Sequence, residues 1–494
     1  MPLRMPIEAN EVVTRRCAKH RCLAPKRNHH CNCQQARGLT RLLPSHTLSG
    51  QHSEMDASKE SVIHPSAIVS KVTRRIVPYI FVCYIFNYLD RFNVSFAALQ
   101  MSSDLGFSDM VYGLGASMFF IGYVFFEIPS NLIMEKVGAR VWIARIMISW
   151  GVISTCMMWV NSVASFYSLR FLLGVAEAGF FPGMVLYLTY WIPAAERARA
   201  FALFLTSTAL AGVIGGPISG ALFRMEGLYG LKGWQWLFLL EGIPAVFFGC
   251  LTLFYLVDRP DQAKWCSPDE RNWLTGVMQR ETESKQVSGG WTLRQALTHS
   301  KVWRLCWLYF SIVISFYGVA FWLPQVLKSL SGLDNATVAT LSALPYLAAS
   351  IVMVLVANHS DRTAERRWHV AASAFAGALG LLSTIYFLQY QLPWLAFVSL
   401  CIATSGIWST LGPFWSLPTM FLSGTAAAGG IALINSVGNA GGFVGPYVIG
   451  YIRQATQSFT NGMLVLAGTL VIAGILALRI ETDLTSPQNS DNVQ

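Results

Sequence analysis

Long apolar runs alternate with short polar connections over most of the chain. Twelve runs can be marked, each of about 20 residues, the length a helix needs to cross a bilayer at roughly 1.5 Å rise per residue. They lie at 77–99, 112–134, 141–160, 166–190, 200–222, 235–257, 303–327, 338–357, 369–389, 393–421, 428–451 and 461–479. The one long hydrophilic connection, residues 258–302, begins DRPDQAKWCSPDE and follows the sixth run. The pattern predicts an all-α membrane protein of twelve transmembrane helices. A first six-helix bundle would span 71–257, a cytoplasmic linker 258–302 and a second bundle 303–482, with a leader at 1–70 and a tail at 483–494.

Composition agrees. The chain is 53% hydrophobic and 13% charged, against about 25% charged in soluble domains. The net charge of +10 is concentrated at one end, because residues 1–54 hold nine Lys/Arg and three Glu. No basic patch for nucleic acid remains in the apolar part. Cys17, Cys22, Cys31 and Cys33 lie in that same leader, in CAKHRCLAPKRNHHCNC, a tract whose residue types suit zinc but whose spacing matches no regular finger. The leader has no apolar core of a signal peptide, and Met55 is an alternative start that would leave 1–54 dispensable.

Loop charges orient the chain. With both termini inside, the short inner segments hold Lys71, Arg74, Arg75, Lys136, Arg140, Arg197, Arg199, Arg362, Arg366 and Arg367. The outer ones hold Arg224, Lys232, Lys328 and Arg453. That bias favours an inside N-terminus.

The two halves also echo one another. EKVGAR at 135–140 follows the second run and DRTAERR at 361–367 follows the eighth, 226 residues on. GVIGGPISG at 212–220 and GNAGGFVGP at 438–446 place Gly-Pro steps 229 apart. Two features with nearly one offset argue for an internal repeat. The basic loops serve topology, or an interdomain latch of Glu135, Lys136, Arg140, Asp361 and Arg362, in which Glu135 or Asp361 caps a neighbouring helix N-terminus.

With these features in view, residues 70–482 resemble the major facilitator superfamily of transporters. NLIMEKVGAR resembles the superfamily signature G-x-x-x-D-R-x-G-R-R, with Asn131 for the first glycine and Glu135 for the aspartate. NYLDRFNVS, FFEIPSN and RFLLGVAEAGFFPG resemble its anion:cation symporter family. The resemblance implies two pseudo-symmetric six-helix bundles around a central cavity and alternating access. It also implies uptake of a small organic anion, such as a sugar acid or a tartrate-like dicarboxylate, with protons or sodium.

Apart from residues at span ends, seven charged residues fall within the spans: Asp90, Arg91, Glu127, Arg145, Arg170, Glu177 and Glu241. All belong to the first half, and no histidine lies in the interior of a span. A charge at mid-membrane costs about 2.5–3.5 kcal/mol even on the gentlest scale, so such residues are usually functional. Arg145 can snorkel to the inner surface, and Glu127, two residues before Pro129, suits a bond to backbone groups the proline frees. With Glu241, some seven residues inside its span, also set aside, Asp90, Arg91, Arg170 and Glu177 remain. Two acids and two arginines form either a neutral network holding spans one and four together or a working site, and buried ion pairs are poor glue.

Roles follow from the chemistry. Arg91 offers a permanent planar fork to a substrate carboxylate. Asp90 and Glu177 are the proton-coupling carboxyls, because a carboxyl that gains or loses an arginine partner changes its protonation. Arg170, on the Glu177 face of span four, would set the resting charge of Asp90 or Glu177. Tyr88 and Tyr123 fit family positions for contacts to substrate hydroxyl or carboxylate, and Asn435 and Trp415 are candidates for its uncharged part.

The reading is a proton-coupled symporter of the cytoplasmic membrane, without cofactor or metal, working as a monomer. Sodium coupling or anion exchange are its rivals. A membrane sensor would need an output domain, and neither H-E-x-x-H nor G-x-S-x-G is present to suggest an enzyme.

Overall fold

A computed structural model describes residues 65–287, 293–420, 422 and 424–480. The cysteine-rich tract and the alternative start at Met55 lie outside the described residues. Among those described, the chain is helical, without strands. The first half contains α1 (Pro65–Asp104), α2 (Asp109–Val137), α3 (Ala139–Cys156), α4 (Val163–Glu177), α5 (Phe180–Trp191), α6 (Ala194–Phe223) and α7 (Gly233–Tyr255). The connection carries α8 (Pro268–Val287) and α9 (Leu293–Thr298). The second half contains α10 (Ser300–Ser331), α11 (Asn335–Leu341), α12 (Ala343–Thr363), α13 (Arg367–Gln389), α14 (Pro393–Ser409), α15 (Leu411–Ser416), α16 (Gly424–Thr456) and α17 (Thr460–Leu478).

Ten of the resulting segments are long and apolar enough to cross a membrane by themselves. The other two expected spans are α1 and α16, whose apolar character is diluted by Asn87, Asp90, Arg91 and Asn93 in one and by glycines, Asn435 and Asn439 in the other. Apolar side chains point outward around the barrel, among them Phe125 at 73%, Phe254 at 85% and Trp394 at 73% exposed. Such an apolar exterior fits lipid, not water.

Helix neighbours repeat between the halves. α1 packs on α6 and α7 as α10 packs on α16 and α17, and α3 on α7 as α13 on α17. Across the halves α2 meets α16, and α6 meets α11 and α12. Exchanging the halves converts the first of these contacts into the second. The α1–α10 contact converts into itself, so those two helices lie on the pseudo-two-fold axis.

One expected span is broken. The run at 166–190 divides into α4 and α5 immediately after Glu177, at Gly179 with φ +85°. A side chain is strained at that φ, and a Cβ there would also meet Ser130 Cβ at 2.7 Å. The tenth span is interrupted at the corresponding place, between α14 and α15.

Among the described residues, the bonds that join the halves avoid the face carrying Lys71, Arg140, Arg197 and Arg366. On the opposite face, Tyr112 donates to the Phe321 carbonyl (2.7 Å), Ser117 to that of Phe443 (2.7 Å) and Asn335 to that of Leu99 (3.2 Å). Arg453 pairs there with Asp109 at 3.2 Å. Gly113 and Gly450 let α2 and α16 approach until a Cβ on Gly113 would stand 3.1 Å from the Gly450 Cα. On the basic face, the ion pairs among described residues stay within one half or tie it to α8: Lys71–Glu270 at 2.7 Å, Arg197–Glu281 at 2.9 Å and Arg366–Asp361 at 2.6 Å.

Candidate functional site

α1 carries the charged pair to the centre of the molecule, where Asp90 and Arg91 are buried at 0% and 4% exposed. Successive residues on a helix point about 100° apart, so the two side chains enter different surroundings. Arg91 faces the junction of the halves. Its guanidinium pairs with Glu177 at the end of α4 and donates to the Tyr317 hydroxyl of α10 at 2.7 Å. Tyr88, Phe119 and Tyr123 place their rings 5.0, 5.0 and 5.3 Å from it. The α4–α5 break puts Glu177 at a helix end, where its carboxyl meets the arginine.

Asp90 turns into the first bundle. Ser154 donates to it at 2.6 Å, Trp150 at 2.9 Å and Asn93 at 3.3 Å, so neutral donors alone bind it. Glu241 of α7 accepts from Ser219 at 3.1 Å and feels the charge of Asp90. The structure therefore separates the two coupling candidates, one on each side of α1.

Arg170 is not brought to either carboxylate. It shares a face with Glu177, but seven residues of helix separate them by roughly 10 Å. Its guanidinium donates instead to the carbonyls of Gly115 (3.4 Å) and Ala116 (3.2 Å) and lies near the Phe119 and Phe321 rings. Any influence on Glu177 acts through space.

Glu127 departs from its expected role. Its carboxylate, 3% exposed, accepts from Asn435 and, at 3.0 Å, from Ser436, both on α16 of the other half. The residue stands one turn beyond Tyr123 on α2, a spacing that puts both on the cavity face. Asn435 thus enters the site as a partner of Glu127. Trp415 of α15 lies edge-on to Tyr309 at 5.0 Å and 6.1 Å from Phe181 of the first half.

The latch residues are placed differently from the expectation. Neither Glu135 nor Asp361 caps a helix. Asp258 accepts the Arg140 N–H at 2.8 Å at the start of α3, and Glu365 accepts that of Trp368 at 2.9 Å at the start of α13. Glu135, Lys136 and Arg362 are exposed. Asp361, 63% exposed, bonds Arg366 of its own half. Each cap comes from within its own half or the segment that follows it, and satisfies N–H groups that the first turn leaves free.

A family model described as Major Facilitator Superfamily matches residues 80–446. The chain belongs to the major facilitator superfamily. An Agrobacterium vitis protein with the provisional name tartrate transporter is 48% identical over 86% of this chain and 97% of its own length. The inner membrane transport protein RhmT of Escherichia coli is 37% identical, covering 85% of this chain and 97% of its own. In structure, the Escherichia coli xylose transporter XylE in a partially occluded inward-open conformation superposes with a TM-score of 0.65. It is 13% identical and covers 82% of this chain and 97% of that one. The likeness to XylE concerns the fold. This superfamily member is a multi-pass membrane transporter.

Proposed function

We propose that the chain is a proton-coupled symporter that takes up a small organic anion, a tartrate-like dicarboxylate or sugar acid, by alternating access. Its place would be the cytoplasmic membrane of a bacterial-type cell, with both termini inside. The observation that carries this reading is the buried Arg91–Glu177 pair at the junction of the halves. A substrate carboxylate has the shape and charge to replace Glu177 on the guanidinium fork. Glu177, left buried without its cation, then takes a proton, since an isolated carboxylate in a low-dielectric site is unfavourable. Substrate and proton therefore enter together. The names of the Agrobacterium vitis relatives favour tartrate within the organic anions.

Supporting roles follow. Tyr88 and Tyr123 offer hydroxyls beside Arg91, while Trp415 and Asn435 face the substrate from the second half. Asp90, ringed by neutral donors, is a relay that can hold or release a proton without unpairing an arginine. Arg170 is a fixed positive charge behind the site.

Glu177→Gln tests the mechanism. It mimics the protonated acid permanently and keeps the size. In proteoliposomes the variant should exchange labelled for unlabelled tartrate yet fail to accumulate it under an inward proton gradient. Only the empty carrier's return needs the proton to leave. Accumulation equal to the parent's would remove Glu177 from the mechanism, and accumulation that follows an imposed sodium gradient instead would replace the coupling ion.

A further inference from the structure

Two ionisable side chains of the first half reach polar groups of the second at the centre of the molecule. Arg91 bonds the Tyr317 hydroxyl, and Glu127 bonds Asn435 and Ser436. The first is the cation of the proposed site. The second is a carboxyl in the same chamber, and the symport mechanism above leaves it without a task.

The groups around Glu127 can be named element by element. From α1 come Arg91, whose charge acts on Glu127, and Tyr88. α2 itself adds Tyr123, and α4, which packs on α2, carries Arg170 and Glu177 buried. From α10 come Tyr309 and Tyr317. On the side of α3, Arg145 is held 3.8 Å over the Trp142 ring. α16 contributes the two neutral donors. No lysine or arginine bonds the Glu127 carboxyl among the described residues.

We propose that Glu127 is a second proton-accepting carboxyl of the site, and that it reads the second carboxylate of a dianionic substrate. The inference rests on the symport reading above. A monoanion that displaces Glu177 is balanced by one proton. A dianion leaves one further negative charge in a water-poor space, which a proton on Glu127 balances. The protonated carboxyl then has an O–H to donate to the incoming carboxylate, while Asn435 and Ser436 transfer their bonds from Glu127 to the same substrate oxygens. The dianion thereby spans the halves, Arg91 holding one end and the Glu127–Asn435–Ser436 group the other. Asp90 takes no part in this balance, because it faces the opposite side of α1.

Tartrate and threonate separate the possibilities, since they share a hydroxylated four-carbon chain and differ by one carboxylate. Purified protein in liposomes is given an imposed pH gradient with the membrane potential clamped at zero. Each coupled proton contributes a factor of about ten in accumulation per pH unit. The parent should accumulate tartrate about a hundredfold per pH unit and threonate about tenfold. Glu127→Gln should accumulate both about tenfold, since the amide presents a donor but cannot titrate. Its amide oxygen still accepts from Asn435 or Ser436, so the fold is retained. Asn435→Ala is the second variant, expected to weaken tartrate binding while leaving the hundredfold accumulation in place. An unchanged tartrate accumulation in Glu127→Gln overturns the proposal, as does an equal loss of tartrate and threonate binding, which marks a structural clasp. A parent protein that accumulates neither anion under the pH gradient refutes the symport reading itself.

Discussion

Arg91→Lys probes the geometry of the central pair more sharply than removal of the charge would. Arginine bonds Glu177 and Tyr317 at once, the latter at 2.7 Å, because its nitrogens diverge from one plane. Three aromatic rings around it lie 5.0 to 5.3 Å from the guanidinium carbon. Lysine retains the positive charge and can satisfy Glu177, but its single nitrogen cannot reproduce the fork or lie flat between rings. A hydrogen bond to a charged group is worth about 1.5–3 kcal/mol. Losing one of the two prongs that hold a substrate carboxylate should therefore weaken binding at least tenfold, about 1.4 kcal/mol. The assay is direct binding of labelled tartrate to purified protein, with thermal unfolding to confirm that the variant is folded. Unchanged affinity would refute the bidentate argument and move the anion site to Arg170, the other buried guanidinium.

Two further outcomes are expected. Gly179→Ala should lower unfolding stability by about 1–3 kcal/mol, because alanine is forced to positive φ and against Ser130; an unchanged unfolding midpoint would show that the α4–α5 break relaxes freely. Bonds from Lys71 and the Ser267 N–H hold the Glu270 carboxyl below its ordinary range. A depressed folded-state carboxyl contributes stability that is present above its unfolded pKa and lost as pH falls through the folded one. The docking of α8 on α1 should accordingly loosen only in acid, by no more than about 1 kcal/mol for so exposed a pair. Hydrogen exchange of α8 as a function of pH checks this, and loosening on the alkaline side of neutrality would contradict it.

Much of the fold was legible because membrane-crossing helices need long uninterrupted apolar runs, and the polar linker separates two sets of six. The break in the fourth span was missed because the single glutamate in GVAEAGFFPG does not end the apolar run. Its signal is Gly179 followed by Pro182, a helix stop and a first-turn proline in succession. Asp90, Arg91 and Glu177 stood out because charge at that depth is rare. Tyr317 did not, being one aromatic among many, although it stands 226 residues after Arg91, the offset of the repeated loops. Glu127 was drawn toward a backbone role by the nearby Pro129. Its i to i+4 spacing from Tyr123 was the better guide. The caps of α3 and α13 were not legible because several acids crowd the basic loops, and only tertiary geometry selects Asp258 and Glu365.

The distribution of charge between the halves has a mechanical consequence. Every ionisable side chain at depth belongs to the first half, and the second answers with Tyr309, Tyr317, Asn435, Ser436 and Trp415. On the pseudo-two-fold axis the matching positions of α1 and α10 hold an arginine and a tyrosine. Two arginines there would repel, and an arginine facing a carboxylate would weld the halves. Separating a buried ion pair by removing one partner costs about 3–5 kcal/mol. A hydrogen bond between a neutral and a charged group is worth about 1.5–3 kcal/mol. Halves that part and rejoin once per proposed cycle are better joined by the weaker kind. The central pair that does join two charges, Arg91 and Glu177, lies wholly within the first half. In the proposed cycle, rocking of the second half leaves that pair intact and a competing anion opens it. The arrangement thus separates the proposed proton event, confined to one bundle, from the proposed motion, which at the centre breaks bonds to neutral groups.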